Sequence, residues 1–260
     1  MATGAADRMA PPLPQPLARL TAPAHWRAVD CLSDLHLHEG DPAVFEAWRH
    51  WMAITDADAV FILGDLFEVW VGDDHDGPFE QACREVLSAA SRRCPVHFMR
   101  GNRDFLVGPE LIRRCGLQDL DDPTCLAFGG RQWLLSHGDA LCLDDRDYQV
   151  FRQQVRSAEW QRDFLARPLP ERLAVARALR AQSEARKGLP DSHYADVDDE
   201  AARSWLQASG ATVLIHGHTH RPADHALGEG YSRSELSDWD ARGPHPRLQV
   251  LRLTADGARR

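Results

Sequence analysis

Histidine and aspartate residues recur in this 260-residue sequence directly after short apolar runs. His216 and His218 follow residues 211–215, a short run rich in β-branched residues that predicts a buried strand. Side chains two residues apart at a strand end leave on the same side, and Gly217 between them allows a tight turn. The two imidazoles could therefore face one point, and a metal ion is the usual occupant of such a point.

Four other apolar runs end on polar side chains in the same way. The runs cover residues 26–32, 59–63, 95–99 and 132–135. The side chains that follow them are Asp34, His36, Asp65, Asn102 and His137. Imidazole, carboxylate and amide oxygen together suit a divalent cation such as Mn²⁺, Fe²⁺ or Zn²⁺. Because seven ligands exceed the need of one ion, we expect two ions that share a carboxylate, with Asp65 as the bridge.

Each of these residues has a simpler interpretation when taken alone. An aspartate can cap the next helix, and an asparagine can occupy a turn. These interpretations do not explain why every strand should end on a polar cluster. We leave His38, His75, His97, His220 and His225 out of the site, and we interpret residues 73–76 as a solvated acidic turn.

Helical patterns separate most of the predicted strands. They cover residues 42–52, 79–92 and 109–115, and the first has Asp41 as a suitable N-cap before Pro42. Alternating strands and helices predict a layered α/β fold, in which ligands bind beyond the carboxyl ends of the strands. The polar clusters all fall at those ends.

Residues 146–187 depart from this alternation and are helical throughout in pattern. They contain ten Lys/Arg and five Asp/Glu, although the whole chain has a net charge of −9. We interpret about residues 145–196 as an inserted helical subdomain that caps the site. One explanation of its charge is a solvated basic face. The other is a lid that faces acyl chains or a membrane, which its many apolar residues favour.

Composition limits the possible partners and compartment. A net charge of −9 argues against general nucleic-acid binding, which needs an excess of Lys and Arg. The six cysteines match no zinc or disulfide spacing, which is typical of a reducing compartment. We expect residues 1–25, rich in Pro and Ala, to be a disordered tail, and residues 26–255 to form one domain.

The polar strand ends, taken in order, resemble the motifs of the calcineurin-like metallophosphoesterase superfamily. Its signature is Asp-x-His, Gly-Asp, Gly-Asn-His-Asp/Glu, His and Gly-His-x-His. The resemblance covers about residues 26–222. The matching residues are Asp34 and His36, Gly64 and Asp65, Gly101 to Asp104, His137, and His216 to His218.

The resemblance implies a layered α/β sandwich of mixed sheets flanked by helices, with an inserted helical lid. It also implies two divalent metal ions, Mn²⁺ above others. One ion would be held by Asp34, His36, Asp65 and His218, and the other by Asp65, Asn102, His137 and His216.

One position departs from the superfamily pattern. Many members have a histidine after the asparagine, which can protonate the leaving group, whereas this chain has Arg103. A phosphate leaving group needs no such acid, since its second pKa is about 6. An arginine can instead bind phosphate oxygens with two hydrogen bonds and stabilise developing charge. Arg103 therefore favours a P–O–P substrate over a phosphomonoester.

This variation resembles one subfamily, the UDP-2,3-diacylglucosamine diphosphatases of lipid A biosynthesis. Inserted helices also occur there, where they form a hydrophobic cap for two acyl chains. The longer matching stretches are residues 34–37, 62–70, 72–74, 101–106, 137–139, 144–145 and 216–222.

The subfamily resemblance implies hydrolysis of the substrate pyrophosphate to UMP and 2,3-diacylglucosamine 1-phosphate (lipid X), by a hydroxide that two metal ions activate. It places the protein in the cytoplasm, peripherally bound to the inner-membrane surface. Asp65, Asn102 and Arg103 would carry catalysis. The implied substrate contacts are Asn102, Arg103, Asp145, Ser183, Lys187 and His216. The subfamily has an asparagine at the position of Lys187 and a lysine at the position of Pro190. We include Lys187 because it could replace that lysine from three positions earlier in the chain.

Two alternative functions stay open, and the second comes from a different class of protein. The first is another enzyme of the superfamily, acting on other nucleotide diphosphates or phosphoesters. The predicted lid and the lack of Asp-Arg-Gly after the second motif argue against it. The second is a non-catalytic scaffold, which would be expected to have lost metal ligands, whereas none of the seven is missing.

Overall fold

Two six-stranded sheets pack face to face, with helices on both outer sides. The computed structural model describes residues 11–187, 195–242 and 244–260, and for residues 182–187 it describes the backbone alone. Both sheets are mixed, with parallel and antiparallel neighbours. The predicted fold class, a layered α/β sandwich of mixed sheets, is confirmed.

Sheet B carries the first three predicted strands side by side and in parallel. In spatial order its strands are β12 (Gly257–Arg259), β11 (Leu251–Thr254), β2 (Val29–Leu32), β3 (Ala59–Leu63), β4 (Val96–Met99) and β5 (Gln118–Leu120). Strands β2 to β5 run parallel. Every residue of β2, β3 and β4 is buried, as expected for central parallel strands covered on both faces.

Three helices cover the outer face of sheet B and supply the parallel crossovers. They are α1 (Pro42–Ile54), α2 (Pro78–Ser91) and α3 (Pro109–Cys115), each with proline in its first turn. Their buried residues, among them Trp48 and Leu87, share one apolar cluster with Ile62 and Phe98. The predictions for these helices are confirmed.

Sheet A contains strands that the sequence pattern did not predict. In spatial order they are β1 (Ala18–Thr21), β6 (Thr124–Phe128), β7 (Arg131–Leu135), β8 (Val213–His216), β10 (Tyr231–Glu235) and β9 (Asp224–Gly228). The prediction of disorder for residues 1–25 is wrong for residues 18–21, since β1 pairs in parallel with β6. Helix α7 (Asp199–Ser209) covers the outer face of this sheet, where Trp205 packs with Leu214.

An apolar layer between the two sheets joins them. Phe61 and Leu63 of sheet B pack there in one cluster with Trp133, Leu135 and Ile215 of sheet A. Along β3, alternate side chains enter this layer, whereas Ile62 belongs to the cluster under the helices. The carboxyl ends of β2, β3, β4, β7 and β8 are therefore held at one edge of the sandwich.

In the described part of the predicted helical insert, three helices lie between β7 and α7. They are α4 (Arg146–Val155), α5 (Ala158–Leu165) and α6 (Leu169–Lys187). Phe164 is buried in the apolar cluster under α1, and Trp160, Leu169 and Leu173 pack against that cluster. Among the described residues, no helix is long and apolar enough to span a bilayer.

Candidate active site

The polar side chains at the strand ends gather at one edge, as the sequence pattern predicts. Asp34 and Asp65 follow the neighbouring parallel strands β2 and β3 by two residues, and Asn102 follows β4. His137 follows β7, and His216 ends β8, which is parallel to β7. Sheet B thus supplies the carboxylates, the amide and the imidazole of His36, and sheet A supplies the other imidazoles.

Asn102 lies where the two sheets meet. Its Oδ1 atom is 2.9 Å from Nε2 of His137 and 2.8 Å from Nδ1 of His218. Nε2 of His137 also lies 3.7 Å from Oδ1 of Asp65. One amide, one carboxylate and two imidazoles from four separate loops therefore converge.

Asp34 is fully buried and faces several imidazoles. Its Oδ2 atom accepts hydrogen bonds from Ser33 Oγ and from the backbone N–H of His218. Its Oδ1 atom receives no hydrogen bond from the described residues and lies 3.3 Å from Nε2 of His220. Burial raises the pKa of this carboxyl, but His220, His137 and His36 outweigh it and hold the pKa well below the ordinary value.

Two groups of side chains in the described residues are close enough to hold a metal ion. They are Asp34 with His36 and His220, and Asp34 with Asp65 and His137, and within each group the candidate ligand atoms lie within 4.8 Å of one another. Asp34 is common to both groups. The prediction that Asp65 is the bridge stays a prediction, since Asp65 belongs to only one of them.

The chemistry of these residues fits divalent metal ions. The groups combine carboxylates and imidazoles, and a buried carboxylate oxygen of Asp34 without a hydrogen bond points into them. His137 has its other ring nitrogen, Nδ1, 2.9 Å from the carbonyl oxygen of Leu63, the partner that metal-binding histidines commonly have. The site is therefore able to bind divalent ions.

Glycines of the motifs permit this close approach. A Cβ atom on Gly64 would come 2.6 Å from Nδ1 of His137, and one on Gly101 would collide with Oδ1 of Asp65. A Cβ atom on Gly217 would likewise collide with Oδ2 of Asp34. The backbone of these loops can thus lie against the ligands only because the side chains are absent.

Backbone strain is concentrated at the site. Six non-glycine residues of the described chain have positive φ, and five of them belong to the site loops. Those five are Asp34, His36, Asp65, His218 and His220. Because each such residue costs free energy, their clustering is typical of a functional site that the surrounding fold holds in place.

His216 lies at the end of β8, as predicted, and its ring contacts a carbonyl oxygen and an arginine. It is buried, but its Nδ1 atom lies 2.9 Å from the carbonyl oxygen of Gly217 and its Nε2 atom lies 3.4 Å from Nη1 of Arg233. Burial, with a contribution from Arg233, lowers its pKa to about 4. It belongs to neither of the two metal-binding groups, so its assignment as a ligand stays a prediction.

His220 was left out of the predicted site, and the structure places it inside. Its Nε2 atom lies 3.2 Å from Nε2 of His36, and its Nδ1 atom lies 4.0 Å from Asp238. The signal for it was present in the sequence, since His216, His218 and His220 alternate at intervals of two.

Asp104 organises the loops that carry Asp65 and Asn102. Its buried carboxylate accepts hydrogen bonds from the backbone N–H groups of Asp65, Leu66, Phe67 and Gly101 at 2.7–3.4 Å. Burial and the neighbouring Asp65 raise its pKa to about 6. Asp104 belongs to the third motif of the sequence, but its position there does not indicate this role.

Arg103 lies beside the metal-binding groups. Its backbone N–H donates to Oδ1 of Asp65 at 2.7 Å, and its Nη1 atom lies 3.2 Å from Oε1 of Glu68. The predicted catalytic residues Asp65, Asn102 and Arg103 are therefore neighbours in space.

Comparison with known proteins identifies the family. The family model described as calcineurin-like phosphoesterase matches residues 28–222. The chain belongs to this family. The matched range includes all seven predicted ligands of the calcineurin-like phosphoesterase site, and the helical insert lies inside it.

Curated relatives match over most of their length. The chain is 47% identical over 222 residues to UDP-2,3-diacylglucosamine hydrolase of Chromobacterium violaceum, covering 82% of this chain and 90% of the relative. It is 43% identical over 240 residues to the protein of the same name from Xanthomonas axonopodis pv. citri, covering 87% and 95%. A solved archaeal phosphodiesterase is similar at 12% identity with a TM-score of 0.45, covering 89% of this chain and 97% of that one.

The calcineurin-like phosphoesterase core binds the helical insert through buried ion pairs. Asp139 has no exposed surface and accepts hydrogen bonds from Nε of Arg152 at 2.8 Å and from the hydroxyl of Tyr148. The Tyr148 ring stacks on His218 with centroids 5.7 Å apart. The first helix of the insert thus contacts a predicted metal ligand directly.

Arg172 fixes the third insert helix to the core. Its guanidinium is almost fully buried, donates to the carbonyl oxygen of Val71 at 2.6 Å and pairs with Asp74. Asp73 accepts hydrogen bonds from Trp70 Nε1 and from two backbone N–H groups. The interpretation of residues 73–76 as a solvated turn is therefore wrong for Asp73, whereas Asp74 is exposed although it pairs with Arg172.

The predicted substrate contacts in the insert are only partly described. Asp145 is the N-cap of α4 and accepts a hydrogen bond from the backbone N–H of Tyr148 at 3.0 Å, so it already has a structural role. Ser183 and Lys187 belong to α6, but their side chains lie outside the described residues, as does Pro190.

Proposed function

We propose that this calcineurin-like phosphoesterase hydrolyses the pyrophosphate bond of UDP-2,3-diacylglucosamine, giving UMP and 2,3-diacylglucosamine 1-phosphate in lipid A biosynthesis. The observation that carries the proposal is the match to relatives of that name, which spans 90% or more of the two relatives compared. The clustered carboxylates and imidazoles support a hydrolase, because such groups bind the ions that phosphoryl transfer uses.

The proposal assigns the centre to two divalent ions, with Mn²⁺ as the ion used. Asp34, His36, Asp65 and His218 would hold one ion, and Asp65, Asn102, His137 and His216 the other. When bound, such ions supply Lewis acidity toward phosphoryl oxygens and activate water for attack. Asp104 and Leu63 keep the ligands in place through the hydrogen bonds described above.

Arg103 supplies positive charge where a pyrophosphate would bind. Its guanidinium lies beside Glu68, and its backbone is fixed to Asp65, so its position relative to the ligands is determined before substrate arrives. A guanidinium can bind two phosphate oxygens at once. Asn102, Asp145, Ser183, Lys187 and His216 complete the proposed substrate contacts.

The insert would cover the acyl chains and contact the membrane. Phe105, next to Asp104 in the site loop, packs against Trp160 of α5 with ring centroids 6.0 Å apart. Val150, Leu165 and Leu179 expose apolar surface on the three insert helices. Each has an arginine within three residues in the sequence, and arginines on such helices favour contact with anionic lipid. We therefore place the protein on the cytoplasmic face of the inner membrane, bound peripherally.

Substrate profiling with metal control tests the proposal. Purified protein is stripped with EDTA, reloaded with Mn²⁺, Mg²⁺ or Zn²⁺, and assayed for UMP release from UDP-2,3-diacylglucosamine in mixed micelles. We expect release that depends on added metal and is largest with Mn²⁺. A protein that ignores this substrate and rapidly cleaves p-nitrophenyl phosphate would instead be a different phosphoesterase. A protein inactive on both, with metal bound, would support the scaffold alternative.

A further inference from the structure

Glu68 is a buried carboxylate at the edge of the site that belongs neither to the predicted ligands nor to the proposed substrate contacts. It follows Asp65 by three residues, and its backbone N–H donates to the carbonyl oxygen of Leu37 at 3.1 Å. The backbone N–H of Leu37 in turn donates to the carbonyl oxygen of Leu66 at 2.9 Å. These bonds join the loops that follow β2 and β3, so the backbone of Glu68 has a fixed position.

The two carboxylate oxygens of Glu68 face different partners. Oε2 lies 3.3 Å from Nδ1 of His36, whereas Oε1 lies 3.2 Å from Nη1 of Arg103 and 3.2 Å from Nε of Arg180. Arg103 belongs to the site loop after β4, and Arg180 belongs to α6 of the insert. One carboxylate therefore contacts a predicted metal ligand, the predicted catalytic arginine and the insert.

The contacts of Glu68 leave both arginines partly accessible to an anionic ligand. The side chains of Arg103 and Arg180 keep 20% and 39% of their surface exposed beside the metal-binding groups. An arginine has five N–H donors, so its contact with Glu68 does not exhaust its capacity to bind phosphate oxygens. A long side chain held in advance by a carboxylate also loses less conformational entropy when phosphate binds.

We infer that Glu68 is a positioning residue, which orients Arg103 toward the substrate pyrophosphate and couples that orientation to the docking of α6 through Arg180. The inference rests on the proposed function, because it assumes that Arg103 contacts phosphate oxygens. Glu68 itself does not touch substrate. Its effect on turnover therefore depends on the presence of Arg103.

A double-mutant cycle tests this dependence. Glu68→Gln keeps the size of the side chain and removes its charge, and Arg103→Ala removes the group that Glu68 would position. We expect Glu68→Gln to lower kcat/KM about tenfold in the native background and by less than about twofold in the Arg103→Ala background, because coupled residues are not additive. Effects that multiply in the double variant would overturn the inference.

Three measurements separate positioning from other effects. Bound metal is counted for each variant, and loss of metal from Glu68→Gln would overturn the inference, because Glu68 would then act through His36. Arg180→Gln should lower kcat/KM for the lipid nucleotide by a larger factor than kcat/KM for the small diester bis(p-nitrophenyl) phosphate, because only the lipid nucleotide also needs the docked insert; equal losses on both would contradict coupling to the insert. Asp30→Asn, which breaks the buried pair with Arg252 on another part of sheet B, is the control for a stability loss alone.

The substrate panel keeps the two proposals distinguishable. If the native enzyme does not cleave UDP-2,3-diacylglucosamine but does cleave the small diester, the proposed function fails. The cycle between Glu68 and Arg103 is then measured on that diester, where non-additivity supports the positioning role and additivity refutes it.

Discussion

Nδ1 of His137 lies 2.9 Å from the carbonyl oxygen of Leu63, so an imidazole that follows a strand of sheet A is bonded to the last residue of a strand of sheet B. A carbonyl only accepts, and Nδ1 therefore carries the proton. In the neutral ring the lone pair is then at Nε2, which faces the oxygens of Asn102 and Asp65. Burial opposes protonation of this ring, but Asp65, Asp139 and Asp34 raise its pKa to about 9, so a metal ion at Nε2 would take the place of a proton. The fold thereby selects the tautomer that can bind a metal ion.

We predict that His137→Ala and Asp65→Ala each abolish turnover without unfolding the protein. The expected loss of kcat/KM is at least about 100-fold, beyond the usual effect of residues that only support ligands. Removal of the Asp65 charge also relieves repulsion with buried Asp104, so Asp65→Ala should keep a near-native melting temperature. UMP release, metal content and thermal unfolding are measured together, with the exposed His50→Ala as control. Retained activity in either variant would contradict the metal assignment.

Substitution of Arg103 should affect substrates unequally. Arg103→Lys keeps the charge but loses the planar fork that binds two phosphate oxygens. We expect kcat/KM for the pyrophosphate substrate to fall about tenfold or more, with a smaller change for p-nitrophenyl phosphate. The ratio of the two rate constants is the measurement. A ratio equal to that of the native enzyme would show that Arg103 does not select for a P–O–P bond.

Arg172 provides a test of insert docking that leaves the metal ligands intact. Arg172→Leu removes donors from the buried carbonyl of Val71 and a partner from Asp74, and we expect a loss of about 1–3 kcal/mol in the free energy of unfolding. Faster proteolysis within α6 and lower activity on the lipid substrate should accompany it. The matched control is Arg162→Leu, because Arg162 forms an exposed pair with Asp163. Equal proteolysis of both variants would contradict the anchoring role.

The pH dependence of stability should report on His97. This side chain stacks on Phe61, its Nε2 atom has no hydrogen-bond partner in the described residues, and burial lowers its pKa from 6.5 to about 4. As the pH falls, His97 binds a proton in the unfolded chain before it does so in the folded protein. The contribution of the neutral, buried His97 to the free energy of unfolding is therefore complete above pH 6.5 and is lost as the pH falls toward 4.

A His97→Leu variant should therefore lose less stability on acidification than the native protein. At 1.36 kcal/mol per pKa unit, the native protein should lose roughly 3 kcal/mol more of its free energy of unfolding between pH 7 and pH 4 than His97→Leu does. Urea unfolding at several pH values measures it, and His50→Leu serves as an exposed control. Parallel curves for the native and His97→Leu proteins would contradict the effect of burial.

The sequence predicted the strands that carry the site, because β2, β3 and β4 are short, largely apolar runs, each followed by polar residues or glycine. It did not predict β1, whose four residues alternate between exposed and partly buried and owe their form to pairing with β6, about a hundred residues away. Strands β9 and β10 are rich in polar residues such as Arg233 and Glu235, which are buried as a network. The hydrophobic pattern of a short segment does not show which distant strand it pairs with or which polar side chains it buries.

The same limit applies to side chains at the site. Residues fixed by strand ends, such as Asp34 and His137, could be predicted from their spacing. Glu68 and Asp104 could not, because their importance comes from partners on other loops. Asp73 illustrates the reverse error, since its place in an acidic run suggested solvent exposure, whereas it accepts hydrogen bonds from Gly108 and Leu111.

The contacts of Asn102 with His137 and His218 cross the seam between the two sheets. Their lengths are therefore set by the thickness of the apolar layer in which Phe61 and Trp133 pack. A substitution that changes the volume of this layer would therefore change the distances between the candidate metal ligands, although it lies away from them.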